Sequence, residues 1–133
     1  MDVIRGMAGA VRVAGGGFAL PMAHARQPGM ARADLLQHDL SIADREVIQT
    51  RIDFEPGSAS LRHSHPGDEV VYVLEGSLAY ELRGRRARVL EAGETLFIPA
   101  GTSHTVRNAG PGRASQLATY LVRKGRPLLI VTR

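Results

Sequence analysis

From Ile48 to Val122 the chain is cut at close intervals by Gly and Pro: Glu55-Pro56-Gly57, Pro66-Gly67, Glu75-Gly76, Arg83-Gly84-Arg85, Ala92-Gly93, Pro99-Ala100-Gly101 and Ala109-Gly110-Pro111-Gly112. Pro presets one turn dihedral, and Gly accepts the positive φ that tight turns demand. The runs between these turns have strand character. Ile48, Thr50, Ile52 and Phe54 alternate with Gln49, Arg51 and Asp53, which gives one face to a core and one to water. Further strands are expected at 61–65, 69–74, 77–82, 87–90, 95–98, 104–108 and 114–122. Many short strands with such punctuation make an all-β sandwich or barrel.

The chain has 133 residues, enough for one domain around one core, and no second domain or internal repeat is visible. Residues 26–45 are expected to form an N-terminal arm ahead of a barrel at 46–133. Leu35, Leu36, Leu40 and Ile42 fit a short helix or an extended segment closing a sheet edge, and the turn-like Ser41 to Arg45 favours the extended one. Residues 1–25 carry Arg5 and Arg12, then an uncharged stretch from Val13 to Met22, then Ala23-His24-Ala25. That is the order of a secretory signal, which predicts a periplasmic or secreted protein; read as a plain tail, the same segment leaves it cytoplasmic. No uncharged apolar run is long enough for a membrane span.

Cysteine is absent, which excludes disulfides and thiolate metal sites. The net charge of +4 comes from 16 Arg and Lys124 against 13 acidic residues. The arginines are scattered, their close cluster at Arg83 to Arg86 sits on an expected hairpin tip, and no aromatic run interleaves them. Nucleic acid is therefore not an expected partner. Val70 to Leu74 and Leu117 to Val122 are apolar on both faces, so the outer face needs cover, and a homodimer is the economical expectation.

Chemistry concentrates in two stretches. His63 and His65 sit two apart, so on an extended segment both imidazoles point the same way. Glu69 follows the Pro66-Gly67-Asp68 turn, which would return it beside the histidines on a neighbouring strand. Two imidazoles and a carboxylate suit a first-row transition metal better than calcium or magnesium. His104 opens a strand after the Pro99-Ala100-Gly101 turn and is placed to join them. His24 and His38 have no partners at ligand spacing. Asp68 is read as solvated, Tyr72, Tyr80, Phe97 and Tyr120 as packing residues, and Asn108 as a structural amide at a strand end.

These residues resemble the cupin superfamily. Gly57, His63, His65, Glu69 and Gly76, with five, one, three and six residues between them, match its first motif at every defined position. Gly93, Pro99, Gly101, His104 and Asn108, with five, one, two and three between them, match its second, and the 16-residue spacer is similar to that of small single-domain bacterial cupins. The resemblance implies a jelly-roll barrel (a double-stranded β-helix) with one divalent metal inside, held by His63, His65, Glu69 and His104. Iron, manganese, copper, nickel, cobalt and zinc all tolerate that ligand set. An open coordination position would allow a small-molecule oxygenase or isomerase. The other reading is a non-catalytic barrel that uses the metal structurally or to hold a small ligand, since a shared fold does not settle function.

Overall fold

The structure, a computed structural model, describes residues 27–133. The expected export signal, residues 1–25, lies outside the described residues. Ten strands follow in order: β1 (Met30–Asp39), β2 (Arg45–Phe54), β3 (His63–Ser64), β4 (Asp68–Glu75), β5 (Ser77–Leu82), β6 (Arg88–Glu91), β7 (Thr95–Ile98), β8 (His104–Asn108), β9 (Ala114–Arg123) and β10 (Ile130–Val131). They form two five-stranded sheets, β1-β2-β9-β4-β7 and β10-β3-β8-β5-β6, and every pairing is antiparallel. Facing sheets with crossing connections make the expected jelly roll.

Alternation decides which face is inside. Along β2, Glu46, Ile48, Thr50 and Phe54 are buried, and along β9, Ala114, Gln116, Ala118, Tyr120 and Val122 are. The register pairs Ile48 with Tyr120 and Phe54 with Ala114, so both strands turn the same set inward. The interior holds two apolar clusters. One centres on Phe54, Leu78, Leu90 and Ile98; the other groups Ile48, Ala118, Tyr120, Val122 and Leu128.

Of the expected arm, Met30–Asp39 is extended, as the turn-like stretch after it suggested, and it forms more than a flanking arm. β1 pairs with β2 from Met30↔Phe54 to Asp39↔Glu46, with a bulge between Asp34 and Leu36. Two other expectations need correction. The strand expected at 61–65 shrinks to His63–Ser64, because this stretch passes from one sheet to the other. It touches β8 through Ser60 N–H to Val106 O (2.8 Å) and a bridge at Ala59 without building a ladder. The unforeseen β10 then pairs with β3, with Val131 opposite His63.

Asn108 is structural. Its amide donates to Phe54 O, Glu55 O and Gly112 O (3.1, 3.2 and 2.8 Å) and accepts from Gly110 N–H (3.0 Å), tying together the turns that end β2 and β8. Asn108→Ala leaves these groups unpaired and is expected to lower the unfolding free energy by about 2–3 kcal/mol in urea denaturation. A loss below about 0.5 kcal/mol, the range of ordinary surface changes, would contradict this role.

Candidate metal centre

Three imidazoles meet between the sheets. β3 and β8 pair at His63↔His104, which puts those two rings side by side, with centroids 4.3 Å apart. His65, two residues on, turns the same way; its ring lies 4.9 Å from His63 and 5.4 Å from His104. One nitrogen from each of the three lies within 4.8 Å of the others. The inference from alternation at His63 and His65 therefore holds.

Glu69 joins from elsewhere than expected. β4 belongs to the opposite sheet, so the Pro66-Gly67 stretch is a crossover rather than a hairpin. Glu69 pairs with Tyr120 and Ile98 in its own sheet and reaches across the interior. Its Oε1 lies 3.2 Å from His65 Nε2 and 3.6 Å from His104 Nε2. Asp68, expected to be solvated, is half-buried and accepts from Ala100 N–H (3.0 Å). Gly101 N–H donates to His65 O (2.9 Å), so the turn before His104 is tied to the histidine loop twice.

Backbone carbonyls set the tautomer of every ring. Nδ1 of His63 donates to Leu61 O (2.7 Å), that of His65 to Leu128 O (2.7 Å) and that of His104 to Thr102 O (2.9 Å). A carbonyl only accepts, so each Nδ1 carries the proton and each neutral ring keeps its lone pair on Nε2. Burial, with the neighbouring imidazoles, pushes His63 down to about 4, and burial also lowers His104 against the pull of Glu69. Burial would raise Glu69, but the three histidines outweigh it and hold the carboxyl below its ordinary value.

The result is a set of acceptors aimed at one another. His65 Nε2, His104 Nε2 and Glu69 Oε1 are buried and have no hydrogen-bond partner among the described residues. Orphaned buried acceptors of this kind are costly unless a cation satisfies them. The residues therefore fit a divalent transition metal: imidazoles locked by outer hydrogen bonds plus a carboxylate, the arrangement that orients metal ligands.

The cluster opens on a cavity of about 460 Å³, within the range of small-molecule sites. Met30, Ile52, Phe54 and Val106 form apolar parts of its wall, while Arg32, Asp34, Gln116 and Tyr120 bring polar groups. Tyr120, expected to be packing, does pack against His65 (centroids 4.6 Å apart) but also lines the cavity. Sequence reasoning missed Leu128, Arg32 and Gln116. Leu128 acts through its carbonyl, which no side chain advertises. Arg32 and Gln116 were signalled only by being polar at inward positions of β1 and β9.

The Cupin domain family matches residues 50–120, which include all four residues of the cluster. Tetracenomycin polyketide synthase protein TcmJ of Streptomyces glaucescens is 35% identical over 86 residues, 64% of this chain and 56% of that protein. Oxalate oxidase GF-2.8 of Triticum aestivum is 34% identical over 82 residues, 56% of this chain and 37% of that protein. The chain thus spans little more than half the length of one of these relatives and less of the other. Among solved structures, oxalate oxidase in complex with the substrate analogue glycolate superposes with a TM-score of 0.64 at 25% identity, over 81% of this chain and 57% of that one. The polyketide cyclase RemF from Streptomyces resistomycificus does so with a TM-score of 0.63 at 25% identity, over 80% and 73%. With two facing antiparallel sheets, both motifs in place and more than half its length matched, the chain belongs to the cupin family.

Proposed function

We propose that the chain is a metal-dependent enzyme of the small-molecule oxygenase or isomerase type, in which His63, His65, Glu69 and His104 hold one divalent transition metal. The convergence of buried His65 Nε2, His104 Nε2 and Glu69 Oε1, unpartnered among the described residues, beside a cavity carries this reading. A bound metal would supply Lewis-acid polarisation of a ligand oxygen or, as iron, copper or manganese, redox chemistry. The protein's own part is positional. Leu61, Thr102 and Leu128 carbonyls aim the rings, and Phe54, Val106 and Ile52 give the cavity beside the cluster an apolar wall. The polyketide cyclase and oxalate oxidase among the relatives support a small, oxygen-bearing substrate.

One observation favours a second reading, a barrel that binds without turnover. Beyond the cluster, Asp34, engaged by Arg32, is the one carboxylate on the described cavity wall, and burial followed by Glu69 pushes the Tyr120 hydroxyl up, away from acid–base use. Oxygen uptake or product formation by the metal-loaded protein, screened over small acids and polycyclic phenols, separates the two. Turnover that follows metal content supports the enzyme; tight binding with no turnover supports the binding barrel.

The proposal extends to assembly. Val70, Tyr72, Leu74, Phe97 and Leu121 are exposed on the outer face of β4, β7 and β9, and Val70 lies opposite Phe97 and Thr119 in register. An exposed apolar face of this kind marks an interaction surface, and a two-fold axis would pair it with the same face of a second chain. A species of twice the 14.3 kDa chain mass is expected in light scattering, and Phe97→Glu should shift it to monomer. A wild-type monomer would contradict the dimer. Export through residues 1–25 is also part of the proposal. It predicts an N-terminus near Arg26 in protein from the native host, and an intact Met1 would contradict it.

A further inference from the structure

The cavity carries two hydrogen-bond donors that the metal cluster does not use. β1 pairs Arg32 with Ile52, and Ile52 faces the cavity, so Arg32 points inward too. Its side chain as a whole is three-quarters buried, and Nε donates to Asp34 Oδ1 (2.9 Å), whose own side chain is 70% exposed. The carboxylate thus holds the guanidinium from the solvent side. The two Nη groups have no partner among the described residues. An arginine fixed through Nε with a free outer edge offers the paired N–H geometry that matches a carboxylate.

Gln116 is the second donor. It lies on the inward face of β9, is 3% exposed and lines the same cavity. The Tyr80 hydroxyl donates to Gln116 Oε1. Burial, followed by Glu69, raises Tyr80 well above its ordinary value, so the phenol keeps its proton. With its oxygen engaged, the amide has its NH₂ left to offer, and that group has no partner among the described residues. A buried amide donor with its acceptor end already satisfied is set to meet an acceptor.

We infer that Arg32 and Gln116 form an anion subsite on the cavity wall, which selects a small ligand carrying a carboxylate besides the oxygen presented to the metal. The inference rests on the proposed function and deepens it, since it adds two donors to the wall of the cavity that holds His65 Nε2, His104 Nε2 and Glu69 Oε1, unpartnered among the described residues. Chemistry decides the class: a guanidinium edge and an amide N–H₂ both demand an oxygen acceptor, and the guanidinium prefers a charged one.

The test is calorimetric titration of metal-loaded protein with oxalate, malonate and succinate, with malonamide as the uncharged comparison and metal content measured in the same samples. Wild type should bind at least one dicarboxylate. Arg32→Gln should weaken that binding roughly 10- to 100-fold, the range for a charge-assisted hydrogen bond. Arg32→Lys should recover part of the loss, and malonamide affinity should be insensitive to the change. Gln116→Leu should weaken the same dicarboxylate about tenfold. A merely structural role for Arg32 would move melting temperature and both ligands together. Equal dicarboxylate affinity in wild type and Arg32→Gln, or no dicarboxylate binding to metal-loaded wild type, overturns the subsite. Absence of metal from wild type refutes the metal reading instead, and the same titration on the metal-free protein then decides whether Arg32 holds the anion.

Discussion

His104→Ala is expected to abolish the rise in melting temperature that a divalent metal gives the wild-type protein. Ligand linkage stabilises the folded state by about 2.7 kcal/mol at a metal concentration 100 times the dissociation constant. For a domain of this size that is a shift of roughly 10 °C. His104 is fully buried, its Nδ1 is tied to Thr102 O, and its Nε2 is one of the orphaned acceptors. Removing it takes away a ligand and leaves the remaining set incomplete. The metal-free variant should lose less than a typical buried ring truncation, about 3–5 kcal/mol, because the crowding of its lone pair against Glu69 is also removed. His38→Ala is the control: that residue is exposed and outside the cluster, and the metal-dependent shift should survive intact. An equal shift in His104→Ala and wild type would remove His104 from the ligand set.

Gly76→Ala is expected to be strongly destabilising, because it combines a backbone clash with a left-handed φ. Gly76 joins β4 to β5, the step from the sheet that carries Glu69 to the sheet that carries His63 and His104. Its φ is +74°, and a Cβ built there would stand 2.5 Å from Arg113 O and 2.9 Å from Ala114 Cα. Both obstacles are backbone and cannot rotate away. The left-handed conformation costs about 1–2 kcal/mol for a residue with a Cβ, and overpacking adds about 1–3. Against a total stability of roughly 5–15 kcal/mol, such a loss is large. Gly57, with φ +80° but nothing within 4 Å of a built Cβ, is the comparison, and only the conformational part should appear in Gly57→Ala. Urea denaturation of both variants reads the difference, and equal losses would contradict the steric account.

Much of the fold was legible because local chemistry and global structure agree. Gly57, Gly76, Gly93 and Gly101 all adopt the positive φ that their turns required. The alternation of Ile48, Thr50 and Phe54 survives as the inward face of β2. His63 and His65 share a face for the same reason. What stayed hidden has a common cause: it depends on contacts between distant segments. The Pro66-Gly67 stretch looked like a hairpin, yet it carries the chain to the opposite sheet, and Gly67 fits there because a Cβ would stand 2.1 Å from Leu121 O. β10 forms because β3 has a free edge, which the run Leu128 to Val131 does not reveal alone. The carbonyl of Leu128 fixes His65 from 63 residues away. Arg32 faces the cavity only because β1 pairs with β2 in one register before the bulge at Leu35.

The central claim is that His63, His65, Glu69 and His104 hold a metal, and elemental analysis of protein from its own host, wild type beside His65→Ala, tests it most directly. His65 is buried, locked through Nδ1 and in contact with Glu69, so it cannot be bypassed without moving the cluster. The account predicts about one equivalent of a divalent transition metal per wild-type chain, as one closed cluster demands, and none in the folded variant. Wild-type protein without metal, or the same metal content in His65→Ala, would contradict it.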